Sequence, residues 1–151
     1  MRIGLISDTH GLLRPEALEA LRGCAHIVHA GDIGDAAILG ALRVIAPVTA
    51  VRGNNDRAAW AADIAETERV EMGGAWIYVI HDIAGLDIDP AAAGVRAVVA
   101  GHSHQPASSV RDGVLYVNPG SAGPRRFSLP VSLGILRIEG AQLEVELRTL
   151  L

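Results

Sequence analysis

"AHIVHAGDIGDAAILGALRVIAPVTAVRGNND", residues 25–56, is the stretch whose reading decides the fold. It opens on a short apolar run that reads as a strand and stops at Gly31-Asp32. "DAAILGALR" follows with helical spacing of its apolar residues, and Asp35 is a residue type suited to accept from the first turn. "PVTAVRGNND" is then a second strand running into a polar turn. Strand, helix and strand within roughly thirty residues is the unit from which helix-covered parallel sheets are built.

The same alternation holds upstream. Ile3 to Ser7 reads as a strand, and "RPEALEALRG" as a helix with Pro15 near its first turn and Gly23 past its end. Downstream the pattern changes. Gly73-Gly74 and Asp112-Gly113 match two-residue hairpin turns, so "ERVEM" pairs with "AWIYVIH" and "ASSVR" with "VLYVN". "VSLGILRIE" pairs with "QLEVELRTL" around Gly140, and antiparallel pairing is expected to take over in this half. The last strand sets Leu143, Val145 and Leu147 against Gln142, Glu144, Glu146 and Arg148, which predicts one buried and one wet face. "DPAAAG" reads as a short helix and "RAVVAG" as a further buried strand. No linker, repeat or low-complexity run interrupts these elements. They predict one domain over residues 1–151, of α/β (α+β) class, with two packed sheets and helices outside them.

Half of the 151 residues are hydrophobic, yet only five are aromatic, so the core must be made of Ala, Val, Ile and Leu. The net charge is −4 and no Lys/Arg cluster stands out, which disfavours a nucleic-acid partner. Cys24 is the only cysteine; it excludes an intrachain disulfide and a cysteine-built zinc site, and reads as a small buried thiol. The apolar run in "MRIGLISDTH" is too short for a signal-peptide core, and no stretch approaches the roughly 18 apolar residues of a membrane span. The expectation is a soluble cytoplasmic protein with no membrane partner.

Strand after strand ends in metal-ligand chemistry. "SDTH" offers Asp8 and His10, "HAGD" offers Asp32, and "RGNND" offers Asn54, Asn55 and Asp56. "IYVIH" ends in His81, and "VVAGHSH" in His102 and His104. Taken singly, Asp8 or Asp32 reads as a cap and His81 as a half-buried ring. Independent caps would not all fall at strand ends, and strand ends in an α/β sheet share one crevice. Imidazole, carboxylate and amide oxygen without thiolate suit Mn, Fe, Zn, Co or Ni. With one residue from "RGNND", the seven candidate ligands exceed one ion, whereas two ions about 3.5–4 Å apart would use them all.

The series Asp8-x-His10, Gly31-Asp32, Gly53-Asn54-Asn55-Asp56, His81 and Gly101-His102-x-His104 resembles the calcineurin-like metallophosphoesterases, in particular the small prokaryotic phosphodiesterase branch. The likeness extends to "NPGS" at 118–121. It implies a four-layer sandwich of two mixed β-sheets flanked by α-helices. It also implies Asp8, His10 and His104 on one ion, Asn54, His81 and His102 on another, and Asp32 bridging them. The implied cofactor is two divalent ions, manganese first, with nickel, iron, zinc or cobalt as alternatives. The implied substrate is a small phosphate ester, attacked by a hydroxide that the ions generate, while Asn54 and Asn55 steady the phosphate.

Two positions depart from the pattern. Asn55 stands where many relatives carry a His that can protonate the leaving group, and Asn is no acid near neutral pH. "HDIAG" at 81–85 lacks the Gly and second His that close relatives carry after the ligand. A phosphomonoesterase, a nuclease of the same superfamily and a retromer-scaffold-like binding module are the alternative readings, and homo-oligomerisation stays open. His29 reads as a support for a ligand or a buried strand histidine, Asp56 as an orienter or turn holder, Arg125 and Arg126 as phosphate contacts or an exposed basic pair, and Trp60 as packing or an exposed ring.

Overall fold

A computed structural model describes residues 1–151 as ten strands in two five-stranded sheets, with two α-helices. The strands are β1 (Arg2–Ile6), β2 (His26–His29), β3 (Val48–Ala50), β4 (Thr67–Met72), β5 (Ala75–Ile80), β6 (Val95–Val99), β7 (Ala107–Arg111), β8 (Val114–Asn118), β9 (Ser132–Glu139) and β10 (Gln142–Thr149). The first sheet runs β10-β9-β1-β2-β3 and the second β4-β5-β6-β8-β7. In the first, β1 pairs parallel with β2 from Ile3↔His26 to Ile6↔His29, and β2 parallel with β3.

Alternation along each strand builds the layers. Ile3 and Leu5 of β1 face the second sheet, where Ile77, Val79, Ala97, Val99 and Val117 meet them in the inner core. Ile6 faces outward and joins Leu21, Ile27, Leu42, Leu133 and Ile135 beneath α1 (Pro15–Leu21) and α2 (Ala36–Ile45). α1 begins with Pro15 and has no side-chain cap, whereas Asp35 caps α2 by accepting from Ala37 N at 2.9 Å. Each fully buried Ile or Leu contributes about 1.5–3 kcal/mol of burial, so the small aromatic content costs the core little.

Two expectations need correction. Antiparallel pairing takes over only part of the second half: the expected pairs β4–β5, β7–β8 and β9–β10 form, but β5 pairs parallel with β6, and β6 parallel with β8. The hairpins β4–β5 and β7–β8 place antiparallel strands only at that sheet's edges. "DPAAAG" forms turns rather than a helix, because Ala93 N, Gly94 N and Val95 N bond back to Asp89, Ala91 and Pro90 and Gly94 adopts φ +75°. The α-helices therefore cover one sheet. Over the other, Leu86, Ile88 and Ala93 pack on Tyr78, Ile80, Val98 and Ala100.

Candidate metal centre

The carboxyl ends of β1, β2 and β3 in one sheet and β5 and β6 in the other lead into the segments that carry Asp8 and His10, Asp32, Asn54 and Asn55, His81, and His102 and His104. Asp8, His10, Asp32, His102 and His104 have φ of 54°, 46°, 56°, 73° and 63°. A left-handed backbone costs a non-glycine residue about 1–3 kcal/mol and persists only where its surroundings dictate it. Here they do: Asp8 N bonds to Gly31 O at 3.0 Å and His10 N to Asp32 O at 2.9 Å, while Ser121 Oγ donates to Asp8 O at 2.9 Å.

Two glycines permit the close approach. A Cβ on Gly31, itself at φ +99°, would lie 2.7 Å from His81 Nδ1 and 2.9 Å from Gly53 N. One on Gly101 would lie 2.6 Å from Asp8 Oδ2.

Two groups of ligand atoms result, Asp8 with His10 and His104, and Asp8 with Asp32 and His81. Asp8 Oδ1 lies 3.3 Å from His104 Nε2 and 3.7 Å from His10 Nε2. Asp32 Oδ2 lies 3.8 Å from His10 Nε2 and 3.3 Å from His81 Nε2, and Asp8 is the residue common to the two groups. Asp8 Oδ1 and His81 Nε2 are buried without a hydrogen-bond partner. An unsatisfied buried polar group costs about 1–3 kcal/mol, and more when charged. His81 Nδ1 lies 2.7 Å from Ala30 O; a carbonyl only accepts, so the proton sits on Nδ1 and the Nε2 lone pair points to the carboxylates. This donor set fits a divalent ion.

Protonation states agree with that fit. Burial lowers the pKa of His10 and of His104, assisted at His104 by Arg126, which favours the neutral ring a metal requires. Burial works against the Asp32 charge, but His81 and the Asn55 N–H overcome it and hold the carboxyl below its usual range. Burial raises Asp8 despite the Ser7 hydrogen bond at 2.7 Å. Burial opposes charge on His81, yet the Asp32 carboxylate and the Ala30 carbonyl raise it. A cation among these groups would replace the protons that Asp8 and His81 otherwise favour.

Other predicted residues are placed differently. Asn54 is exposed, and the His102 ring is 46% exposed with Nε2 3.7 Å from Asp82 Oδ2. Both line a cleft of about 660 Å³ together with His81 and Asp82. Asn55 donates to Asp32 through backbone N at 3.0 Å and Nδ2 at 3.1 Å, so its amide steadies a carboxylate of the site. Asp56 holds the turn by accepting from Ile33 N, Gly34 N and Gly53 N. His29 bonds Thr9 Oγ1 and Gly31 N, not a ligand side chain. Trp60 packs under the helix layer. Asn118 of "NPGS" braces the His102 loop through Gly101 O and Ser103 Oγ. Ser7 was missed, because a serine beside an aspartate carries no distinguishing signal in sequence, and Ser121 entered only as the end of "NPGS".

A two-sheet sandwich with a carboxylate and imidazole crevice at its strand ends defines a metallophosphoesterase class of protein. Residues 1–141 match the calcineurin-like phosphoesterase superfamily domain, and the chain belongs to that superfamily. It is 34% identical over 97% of its length to a probable metallophosphoesterase of Methanothermobacter thermautotrophicus, covering 91% of that protein. An archaeal phosphodiesterase shares the fold with TM-score 0.80 at 24% identity, over 98% of this chain and 100% of that one. Chaetomium thermophilum Vps29 does so with TM-score 0.80 at 19% identity, over 99% and 96%.

Proposed function

We propose that the chain hydrolyses small phosphodiesters with two divalent ions, manganese first among them. Asp8, His10 and His104 hold one ion, Asn54, His81 and His102 the other, and Asp32 is shared. The observation that carries this reading is the pair of buried, unpartnered atoms, Asp8 Oδ1 and His81 Nε2, which lie 4.0 Å apart with Asp32 Oδ2 3.3 Å from the imidazole nitrogen. When bound, the ions would supply Lewis acidity and make a water acidic enough to attack phosphorus in line.

The chain's own residues do the positioning. Asn55 fixes the Asp32 carboxylate at both oxygens, and the Ser7 hydroxyl and His102 N–H fix Asp8 Oδ2, leaving Oδ1 for a ligand role. No covalent side-chain nucleophile is needed; Ser103 Oγ is engaged with Asn118 Nδ2 at 3.0 Å. Asn55 cannot protonate a leaving group, so substrates with good leaving groups should turn over fastest.

The test is metal analysis with hydrolysis of bis(p-nitrophenyl) phosphate and p-nitrophenyl phosphate. Two ions per chain and faster diester turnover are expected; a faster monoester makes the chain a phosphomonoesterase. The likeness to Vps29 favours a second reading, a binding module. Tight metal without turnover of either ester would support that reading instead.

A further inference from the structure

The two ion positions differ in charge. On the two-ion reading, the first has Asp8 and a share of Asp32, whereas Asn54, His81 and His102 leave the second with its share of Asp32 alone. Asp82 stands beside His102, one of the residues assigned to that second position. It follows His81 directly, and its Oδ2 lies 3.7 Å from His102 Nε2, its only ion-pair contact. Oδ1 is committed to capping Ala84 N at 3.0 Å, which fixes the carboxylate plane. Asp82 and His102 are 48% and 46% exposed and line the same cleft as Asn54 and His81.

With metal–ligand bonds of roughly 2.0–2.2 Å, neighbouring ligands of one ion stand about 3 Å apart and opposite ones about 4.2 Å. The Asp82–His102 separation of 3.7 Å lies between these limits. We infer that Asp82 is a ligand of the second ion, completing its coordination and supplying the charge that Asn54, His81 and His102 lack. This rests on the two-ion reading above.

Metal-free protein is titrated with manganese(II), and free ion is counted by electron paramagnetic resonance, so no turnover is involved. The wild type should bind two ions. Asp82→Asn, which keeps the cap and an acceptor for His102 but loses the charge, should weaken the second by about 10–100-fold and leave the first unchanged. Asp82→Ala should do the same, and retained first-ion binding shows that each variant is folded. Wild-type affinity for the second ion in Asp82→Asn overturns the inference. If only Asp82→Ala loses affinity, Asp82 merely props His102, and the inference again falls. A wild type that takes up one ion overturns the two-ion reading first, and Asp82 as a ligand with it.

Discussion

The two sides of the crevice are built to different standards. Around Asp8, His10 and His104, ligand atoms are buried or nearly so, the backbone is held in left-handed conformations, Ser7 and the His102 N–H brace the Asp8 carboxylate, and Ser121 holds the Asp8 backbone carbonyl. Around Asn54 and His102 the side chains are exposed and line an open cleft, with His81 as the one buried anchor. A rigid, dehydrated ligand set pays little ordering entropy when an ion arrives, while exposed side chains must be ordered. The buried side should therefore hold its ion more tightly, and the open side should be where substrate enters.

The largest effect is expected where the two sides meet. Asp32→Asn removes the shared charge. Several kcal/mol of charge stabilisation translate to a fall in kcat/KM on the order of 10³, with both ions loosened. Steady-state kinetics beside elemental analysis checks this, and full turnover with full metal content would refute the sharing. Next come the separate sides. His104→Ala should weaken the tighter ion by about 10–100-fold, whereas His102→Ala should affect the weaker ion only. Equal effects of the two replacements on both ions would erase the distinction between the sides.

A smaller effect is expected from Asn55→Ala. It deletes the 3.1 Å bond to Asp32 Oδ2 but leaves the backbone bond at 3.0 Å to Oδ1. A hydrogen bond to a charged group contributes about 1.5–3 kcal/mol, so roughly tenfold or more in kcat/KM should be lost. Asn55→Ser offers a shorter donor and should recover less than the native amide. Undiminished kcat/KM in the alanine variant would show that Asp32 needs only its backbone support.

Much of this was readable in the residues because strands, hairpin glycines and ligands are local features. Asp8, Asp32 and His81 announce themselves by ending apolar runs, and Gly73-Gly74 and Asp112-Gly113 by their turn chemistry. The parallel centre of the second sheet was not readable in that way. β5, β6 and β8 are joined through long excursions, so their pairing depends on tertiary packing that no turn dipeptide encodes. "DPAAAG" failed as a helix because three residues between Pro90 and a left-handed Gly94 cannot repay nucleation. The bracing by Ser7, Asn118 and Ser121, and the use of Asn55 on Asp32, appear only once distant loops are brought together.

His29 tests whether the buried side is held by its neutral hydrogen bonds. The ring is fully buried; Nδ1 accepts from Gly31 N at 3.1 Å, so Nε2 must carry the proton shared with Thr9 Oγ1 at 3.0 Å. Burial lowers its pKa from 6.5 to about 3. As pH falls below 6.5, the unfolded chain binds a proton that the folded ring refuses, so stability declines by about 1.4 kcal/mol per pH unit until roughly pH 3. Above 6.5 this group adds no pH dependence. His29→Gln should be less stable at neutral pH but show a shallower loss on acidification, read as urea midpoints of metal-free protein at about pH 7.5 and 5. His10 and His104, also lowered by burial, should leave a residual slope of the same sign in the variant. Identical slopes in variant and wild type would mean that His29 takes up its proton in the folded chain, and that the Gly31 bond is not what keeps this side closed.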